Sequence, residues 1–356
     1  MKTNWALICL SLLTVCTQAN DALSRKADAY LQARTDAGEF SGTVLLARDG
    51  RTLFAKGYGF ANEEWRIPND VHTRFPVASI TKTFTAALVL KLRQQGKLAL
   101  EDPLCKHLSP CPKPWEAITL RHLLMHRAGV PEFAKDAEFL RKVRQYIALP
   151  DLIAVFRDRA LDFPAGSRYS YSNSNYILLG AVIEKAGGKS YGTLLRELLF
   201  QPLGMLNSGL DDSELILANR ASGYRPRQKN QGKWKAKASY VDSSWLFSAG
   251  GVYSTVGDLL IWEKALRTGA VLPPAEVAQM WSTRHGDYGY GWQLLAPSPK
   301  WLNRRVVFHA GGLTGFATDL LIYPEERVAV VVLANLLPVP LADIARDLSA
   351  MTLDAR

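Results

Sequence analysis

Apolar residues fall into two rhythms along this chain. Between 21 and 37, Leu23, Ala27, Tyr30 and Leu31 recur at three- and four-residue spacing and Gly38 follows, which predicts a helix. Two strand-like apolar runs come next, at 41–59, around Asp49-Gly50, a pair whose backbone favours the tight turn of an antiparallel hairpin. From Ser79 to about Leu266 the spacing is mostly helical. Within it, 83–92 is mostly apolar, as a buried helix is, and Gly96 supplies a stop. A shorter helix is expected over 118–126. Strand pattern returns at 305–309, 316–324 and 327–335, the last two joined as an antiparallel pair by Pro324-Glu325-Glu326, before a closing helix over 341–353. The chain ends thus supply strands and helices while the middle supplies helices. That order predicts an α/β (α+β) fold: an antiparallel sheet built from both chain ends, flanked by helices, with an inserted mostly helical domain. The expected division is a leader at 1–19, a sheet domain from 20–75 and 285–356, and a helical domain from 76–284, with the functional site where the two meet.

Composition narrows this little, and charge somewhat more. Hydrophobic residues at 48% and charged ones at 21% of 356 positions are ordinary for a globular protein, so no fibrous or disordered class fits. The net charge of +10 favours anionic surroundings, a cell-envelope polymer among them. Its basic residues are dispersed and form no recognised nucleic-acid module, so nucleic acid is not an expected partner. The run 225–237, with Trp234 among its basic residues, reads as a solvated excursion rather than a docking patch. Lys2, the apolar core from Trp5 to Cys16 and the small residues near Ala19 read as a cleavable export signal, which implies a periplasmic or secreted protein. About a dozen apolar residues are too few to cross a bilayer, and Val15 is bulky where a lipoprotein signal at Cys16 needs a small residue. In an oxidising compartment the two remaining cysteines, Cys105 and Cys111, are close enough in a Pro-rich segment to form a disulfide.

Candidate chemistry starts at Ser79-Ile80-Thr81-Lys82. Residues three apart share a helical face, with Cβ atoms about 5–6 Å apart, so this hydroxyl and amine can share a hydrogen bond. A serine attacks carbonyls only when a base takes its proton, and a buried lysine can be that base. A Ser-x-x-Lys string arises by chance about once in a chain this long, so it needs company. Tyr171-Ser172-Asn173, on a turn before an apolar helical run, offers a phenol as base or proton relay and an amide to hold a carbonyl or orient Lys82. His309-Ala310-Gly311-Gly312 ends a predicted strand, and its glycines let a substrate backbone approach. The N–H groups of Gly312 and Ser79 are the candidate oxyanion site. His122 and His126 stand four apart but lack the other parts of a zinc motif, so they read as structural and no metal site is expected.

Taken together, Ser79-Ile80-Thr81-Lys82, Tyr171-Ser172-Asn173 and His309-Ala310-Gly311 resemble the active-site serine penicillin-recognising superfamily, in the branch of class C β-lactamases, serine D,D-peptidases and family VIII esterases. Leu123-Leu124-Met125-His126-Arg127-Ala128-Gly129, Gln201-Pro202-Leu203-Gly204-Met205 and Ser248-Ala249-Gly250-Gly251-Val252-Tyr253-Ser254 extend the likeness over nearly the whole chain after the leader. The resemblance implies a serine hydrolase that forms an acyl-Ser79 intermediate, with Ser79, Lys82 and Tyr171 catalytic and Asn173, His309, Gly311 and Gly312 around the substrate. It implies no cofactor and a small-molecule or peptide substrate; a monomer is the expected state. Typical class C enzymes carry a lysine where this chain has His309. The implied ranking is therefore a peptidase or amidase for D-amino-acid or cell-wall peptides, then a carboxylesterase, then a β-lactamase. A β-lactam sensor that acylates without turnover is the alternative from another class.

Overall fold

The computed structural model describes residues 5–226, 235–282 and 286–355, with the backbone alone for 5–20. The expected leader at 1–19 and the middle of the basic run, 227–234, lie outside the residues described with side chains. Helix α1 (Trp5–Asp36) contains the helix expected from residue 21 onward. Strands β1 (Gly42–Arg48) and β2 (Arg51–Tyr58) follow as a hairpin, and Asp49 and Gly50 have φ of 56° and 71°, the left-handed conformation its turn requires. The middle of the chain carries α2 (Thr81–Gln94), α3 (Asn173–Gly187) and α4 (Val256–Thr268). The C-terminal part adds β3 (Gln293–Leu295), β4 (Val306–Leu313), β5 (Phe316–Tyr323), β6 (Val328–Ala334) and helix α5 (Leu341–Asp354).

The six strands make one antiparallel sheet in the order β3-β4-β5-β6-β1-β2, so the N-terminal hairpin joins the C-terminal strands along β1 and β6, with Val44 opposite Val332. Strands β5 and β6 are buried at every residue, which is why β6 reads as an unbroken apolar run and β5 as one interrupted only by Thr318 and Asp319, rather than as alternating patterns. On the outer face, Leu23, Ala27 and Leu31 of α1 and Ile344, Ala345 and Leu348 of α5 pack on Val44, Leu46, Val330 and Val332. On the inner face, Leu45, Leu320, Val331 and Leu333 join Phe84, Leu88, Ile177, Leu178 and Trp262 in the larger core. Each fully buried Leu, Val or Phe there contributes about 1.5–3 kcal/mol.

Helix α2 runs through that inner core, and its polar residues are as deeply enclosed as its apolar ones. The Thr81 hydroxyl accepts the Val252 N–H at 3.0 Å, Thr83 accepts the Trp262 indole N–H at 3.2 Å, and Thr85 donates to the Ser248 carbonyl at 2.7 Å. These bonds remove the penalty of burying hydroxyls and fix the rotation of α2 about its axis. Cys105 and Cys111 are joined by a disulfide, with Cα atoms 5.3 Å apart. Among the described residues no helix is long and apolar enough to cross a membrane.

Candidate active site

Ser79 sits in a single 3-10 turn, Ala78–Ile80, immediately ahead of α2, rather than in the first α-helical turn that the spacing predicts. The turn is strained: Ala78 has φ of 46°, a conformation its Cβ opposes. Two neighbours hold it there. The Val77 N–H bonds to the Val252 carbonyl at 2.9 Å, and the Thr318 hydroxyl of β5 donates to the Val77 carbonyl at 3.0 Å. Gly311 allows β4 this close, since a Cβ at that position would lie 2.5 Å from the Val77 oxygen and 3.1 Å from the Ala78 methyl. A Cβ on Gly312 would meet only open space. The first backbone bond of the turn runs from Ile80 N–H to Val77, and Ser79 N–H lies one residue earlier, where a helix start leaves its donors without an internal acceptor.

Lys82 is wholly buried, and its amine is surrounded by three oxygens: Ser79 Oγ at 3.0 Å, Asn173 Oδ1 at 2.8 Å and the Ala249 carbonyl at 2.7 Å. Asn173, the first residue of α3, is turned so that its oxygen faces Lys82, because Glu132 takes its other polar groups: Oε2 accepts the Asn173 backbone N–H at 2.5 Å and its Nδ2–H at 3.2 Å. Burial pulls the Lys82 pKa down to about 7, against the opposing pull of the Glu132 charge. That displacement costs the ammonium on the order of 5 kcal/mol. Two of the three surrounding oxygens can only accept. A neutral Lys82 therefore gives its two N–H bonds to Asn173 and Ala249 and is left with its lone pair directed at the Ser79 hydroxyl.

Tyr171 completes the immediate group, donating to Ser79 Oγ at 3.0 Å. Of the two roles expected for this phenol, base or proton relay, its surroundings favour the relay. Burial pushes Tyr171 well above the ordinary tyrosine range, and the Ser79 hydrogen bond offsets only part of that, so it stands as a protonated donor. Its ring lies 4.3 Å from that of His126, which is itself packed against Tyr176 and Tyr288 at 5.1 and 4.6 Å. His126 Nδ1 accepts from Ser172 N–H and is 3.2 Å from Asn175 Nδ2, so this histidine props the Tyr171 loop. His122 instead accepts the Thr119 N–H in the cap of the short helix Leu120–Leu124. The helix expected over 118–126 is confined to those five residues, and its two histidines serve separate structural ends.

His309 does not line the cleft. Its ring is fully buried, with Nδ1 donating to the Ala310 carbonyl at 2.7 Å and Nε2 accepting from Tyr288 at 2.9 Å. Burial, reinforced by the Lys82 charge, holds its pKa down to about 3, so His309 presents no cation. A cavity of about 660 Å³ opens at Tyr171, the residue that bonds Ser79, and is lined also by Tyr169, Asp287, Tyr288, Phe308 and Ala310 among others. Another cavity of that size, around Asp211, Asp212, Glu214 and Asp242, includes none of the residues of the three motifs. Among the described residues no group of three histidine, cysteine or acidic side chains could hold a metal ion.

A family model described as Beta-lactamase matches residues 27–352. The chain belongs to the beta-lactamase family. Penicillin-binding protein 4* of Bacillus subtilis (strain 168) is 29% identical to it over 319 residues, covering 83% of this chain and 68% of that protein. The crystal structure of a penicillin-binding protein from Bacillus halodurans matches with a TM-score of 0.78 at 28% identity, over 90% of this chain and 98% of that one. A D-stereospecific amidohydrolase from Streptomyces sp. matches with a TM-score of 0.72 at 26% identity, over 94% and 97% of the two chains. This beta-lactamase-family chain is thus a serine hydrolase of the group that includes penicillin-binding proteins and amidases. Its site brings Ser79, Lys82, Tyr171 and Asn173 into direct contact, keeps Gly311 and Gly312 beside them, and withdraws His309 behind Tyr288. Glu132, Ala249 and Tyr288 escape the sequence reading of the site. Ala249 lies in a stretch that resembles the family's framework, but a backbone carbonyl carries no side-chain signature.

Proposed function

We propose that the protein is an exported acyl hydrolase that cleaves amide or ester carbonyls through a covalent acyl-Ser79 intermediate, acting as a peptidase or amidase before it acts on β-lactams. The observation that carries this reading is the Lys82 amine, buried, held near neutrality, and left with one free direction that points at Ser79. Lys82 takes the Ser79 proton as Oγ attacks, and the N–H groups of Ser79 and Gly312 hold the developing oxyanion. Tyr171, a neutral donor, passes a proton to the departing atom and recovers it from Lys82. Asn173 keeps Lys82 in register. Water then frees the acid by the reverse order of proton transfers.

His309 supports the ranking of substrates. A β-lactam presents a carboxylate to be neutralised, and the side chain at this position is enclosed and uncharged. The name of one similar structure, a D-stereospecific amidohydrolase, points the same way. Export rests on the leader pattern at 1–19 and on the Cys105–Cys111 disulfide, a bond suited to an oxidising compartment. The net charge of +10 suits work beside an anionic envelope polymer.

The test is turnover of four substrates side by side: a D-amino-acid amide, a peptide ending in D-Ala-D-Ala, a short-chain nitrophenyl ester and a chromogenic cephalosporin. Amide, peptide or ester turnover exceeding cephalosporin turnover, and vanishing in Ser79→Ala, is the expected result. A long-lived acyl adduct with no turnover of any of the four would make the protein a sensor instead.

A further inference from the structure

The cleft has two ends, and the position of Tyr171 assigns a half of the substrate to each. Strand β3 pairs with β4 only at Val306, Val307 and Phe308, so the β4 edge from His309 onward is left for a substrate backbone. The cavity at Tyr171 opens at the Phe308 and Ala310 end of this edge, and a second one, of about 500 Å³, opens at its other end, at Leu313 and Thr314. Tyr171 lines the first cavity and bonds Ser79. A phenol that hands a proton to the departing atom must stand on the departing group's side of the carbonyl. The first cavity therefore receives the departing half, and the acyl half runs along β4 past Gly312 into the second.

We propose that this site selects substrates whose acyl half carries a negative charge and whose departing half carries none. The proposal rests on the acyl-transfer reading above and adds the charge of each half to it. Arg141 and Arg144 line the second cavity, both exposed, and neither is ion-paired among the described residues. Lys142 between them is paired with Glu138. No acidic side chain lines that cavity among the described residues, so its two guanidinium groups are free to meet a carboxylate. The first cavity is the reverse: Asp287 lines it and no described cation does. Its carboxylate lies close enough to Tyr169 to reinforce burial in pushing that phenol's pKa up. A carboxylate on the departing half would face Asp287 with His309 neutral and enclosed behind Tyr288.

The reaction balances without a further reagent. Ser79 Oγ bonds to the carbonyl carbon, the carbon–nitrogen or carbon–oxygen bond to the departing half breaks, and the Ser79 proton leaves with the departing atom by way of Lys82 and Tyr171. Water then adds its hydroxyl to the acyl carbon and restores the Ser79 proton. Amides, esters and internal peptide bonds with an acidic acyl half accordingly rank above peptides whose departing residue ends in a free carboxylate.

The experiment compares kcat/KM for the nitrophenyl monoester of adipic acid with that for nitrophenyl hexanoate, esters of equal chain length that differ in acyl charge. At low salt the anionic ester is expected to lead by roughly three- to tenfold, the range of one or two partly exposed ion pairs. The lead should shrink toward unity in about 0.5 M salt and in the double variant Arg141→Gln, Arg144→Gln, because screening or removing the charges acts on the same interaction. Equal rates for the two esters, both abolished by Ser79→Ala, would overturn the charge assignment and leave the acyl-transfer reading standing. Absence of any Ser79-dependent release would overturn both. For the departing half, a peptide with an amidated end should be cleaved faster than the same peptide with a free carboxylate, and Asp287→Asn should narrow that gap. Faster cleavage of the free acid would overturn this part.

Discussion

A lysine amine inside a protein has to give up either its proton or its burial, and Lys82 keeps its burial. The spacing of Ser79 and Lys82 was legible in the sequence because one helical turn is a fixed length. What tunes the pair was not. Glu132 occupies a Pro-Glu-Phe turn without periodicity, yet it orients Asn173 and its charge supports the Lys82 ammonium. The two effects separate in Glu132→Gln. Removing the charge lowers the Lys82 pKa, so the acid limb of kcat/KM should move to a pH below about 7. Loosening Asn173 should lower the plateau about tenfold, within the range for a misplaced catalytic group. A pH profile of the variant checks both, and an unmoved acid limb would mean that Lys82 does not set it.

Among the elements, the Asp49-Gly50 hairpin and strands β5 and β6 were readable because turn chemistry and long apolar runs are local signals. Strand β3 was not, since three residues carry no periodicity and its identity comes from pairing with β4. The 3-10 turn at Ser79 was also hidden, because contacts from β4, β5 and Val252 impose it from far along the chain. The two adjacent glycines of β4 give a test of that account. Gly311→Ala would press a methyl against the Thr318 hydroxyl and the Val77 carbonyl, displacing the turn, so it should cost roughly 1–3 kcal/mol in urea denaturation and lower kcat. Gly312→Ala, with open space ahead of its methyl, should leave stability within about 0.5 kcal/mol. Equal losses in the two variants would contradict the packing argument.

At the scale of the whole molecule, the six-stranded sheet is built from both chain ends between two cores, and buried titratable groups give folding a pH signature. Asp319 on β5, opposite Ala310, is buried with one carboxylate oxygen lacking a partner among the described residues, and burial pushes its pKa up to about 7. The folded state holds this proton where the unfolded chain has released it. The stabilisation is complete below about pH 4 and is lost as pH rises to about 7, an effect on the order of 4 kcal/mol. Lys82 acts in the opposite sense at higher pH: the unfolded chain keeps its proton up to about 10.4, so stability rises with pH between about 7 and that value. Asp319→Asn should remove the first slope and keep the second, as read from urea midpoints at pH 5, 7 and 9. An unchanged slope between pH 5 and 7 would place its origin in other groups. The antiparallel sheet with its helical insertion was legible from the order of elements, because strands at both chain ends leave few other ways to pair. These pH effects were not legible, because an aspartate in an apolar strand looks the same whether or not it finds a partner.

The most direct test of the central claim, that a neutral Lys82 makes the Ser79 hydroxyl nucleophilic, is the pH dependence of the pre-steady-state burst with a nitrophenyl ester. The burst rate should rise about tenfold per pH unit below pH 7, level off above it and show no fall up to about pH 9, since Tyr171 keeps its proton throughout. The acyl group should be found on Ser79 by peptide mapping. A burst rate flat from pH 5 to 9, or an acyl group mapped to any residue other than Ser79, would contradict it.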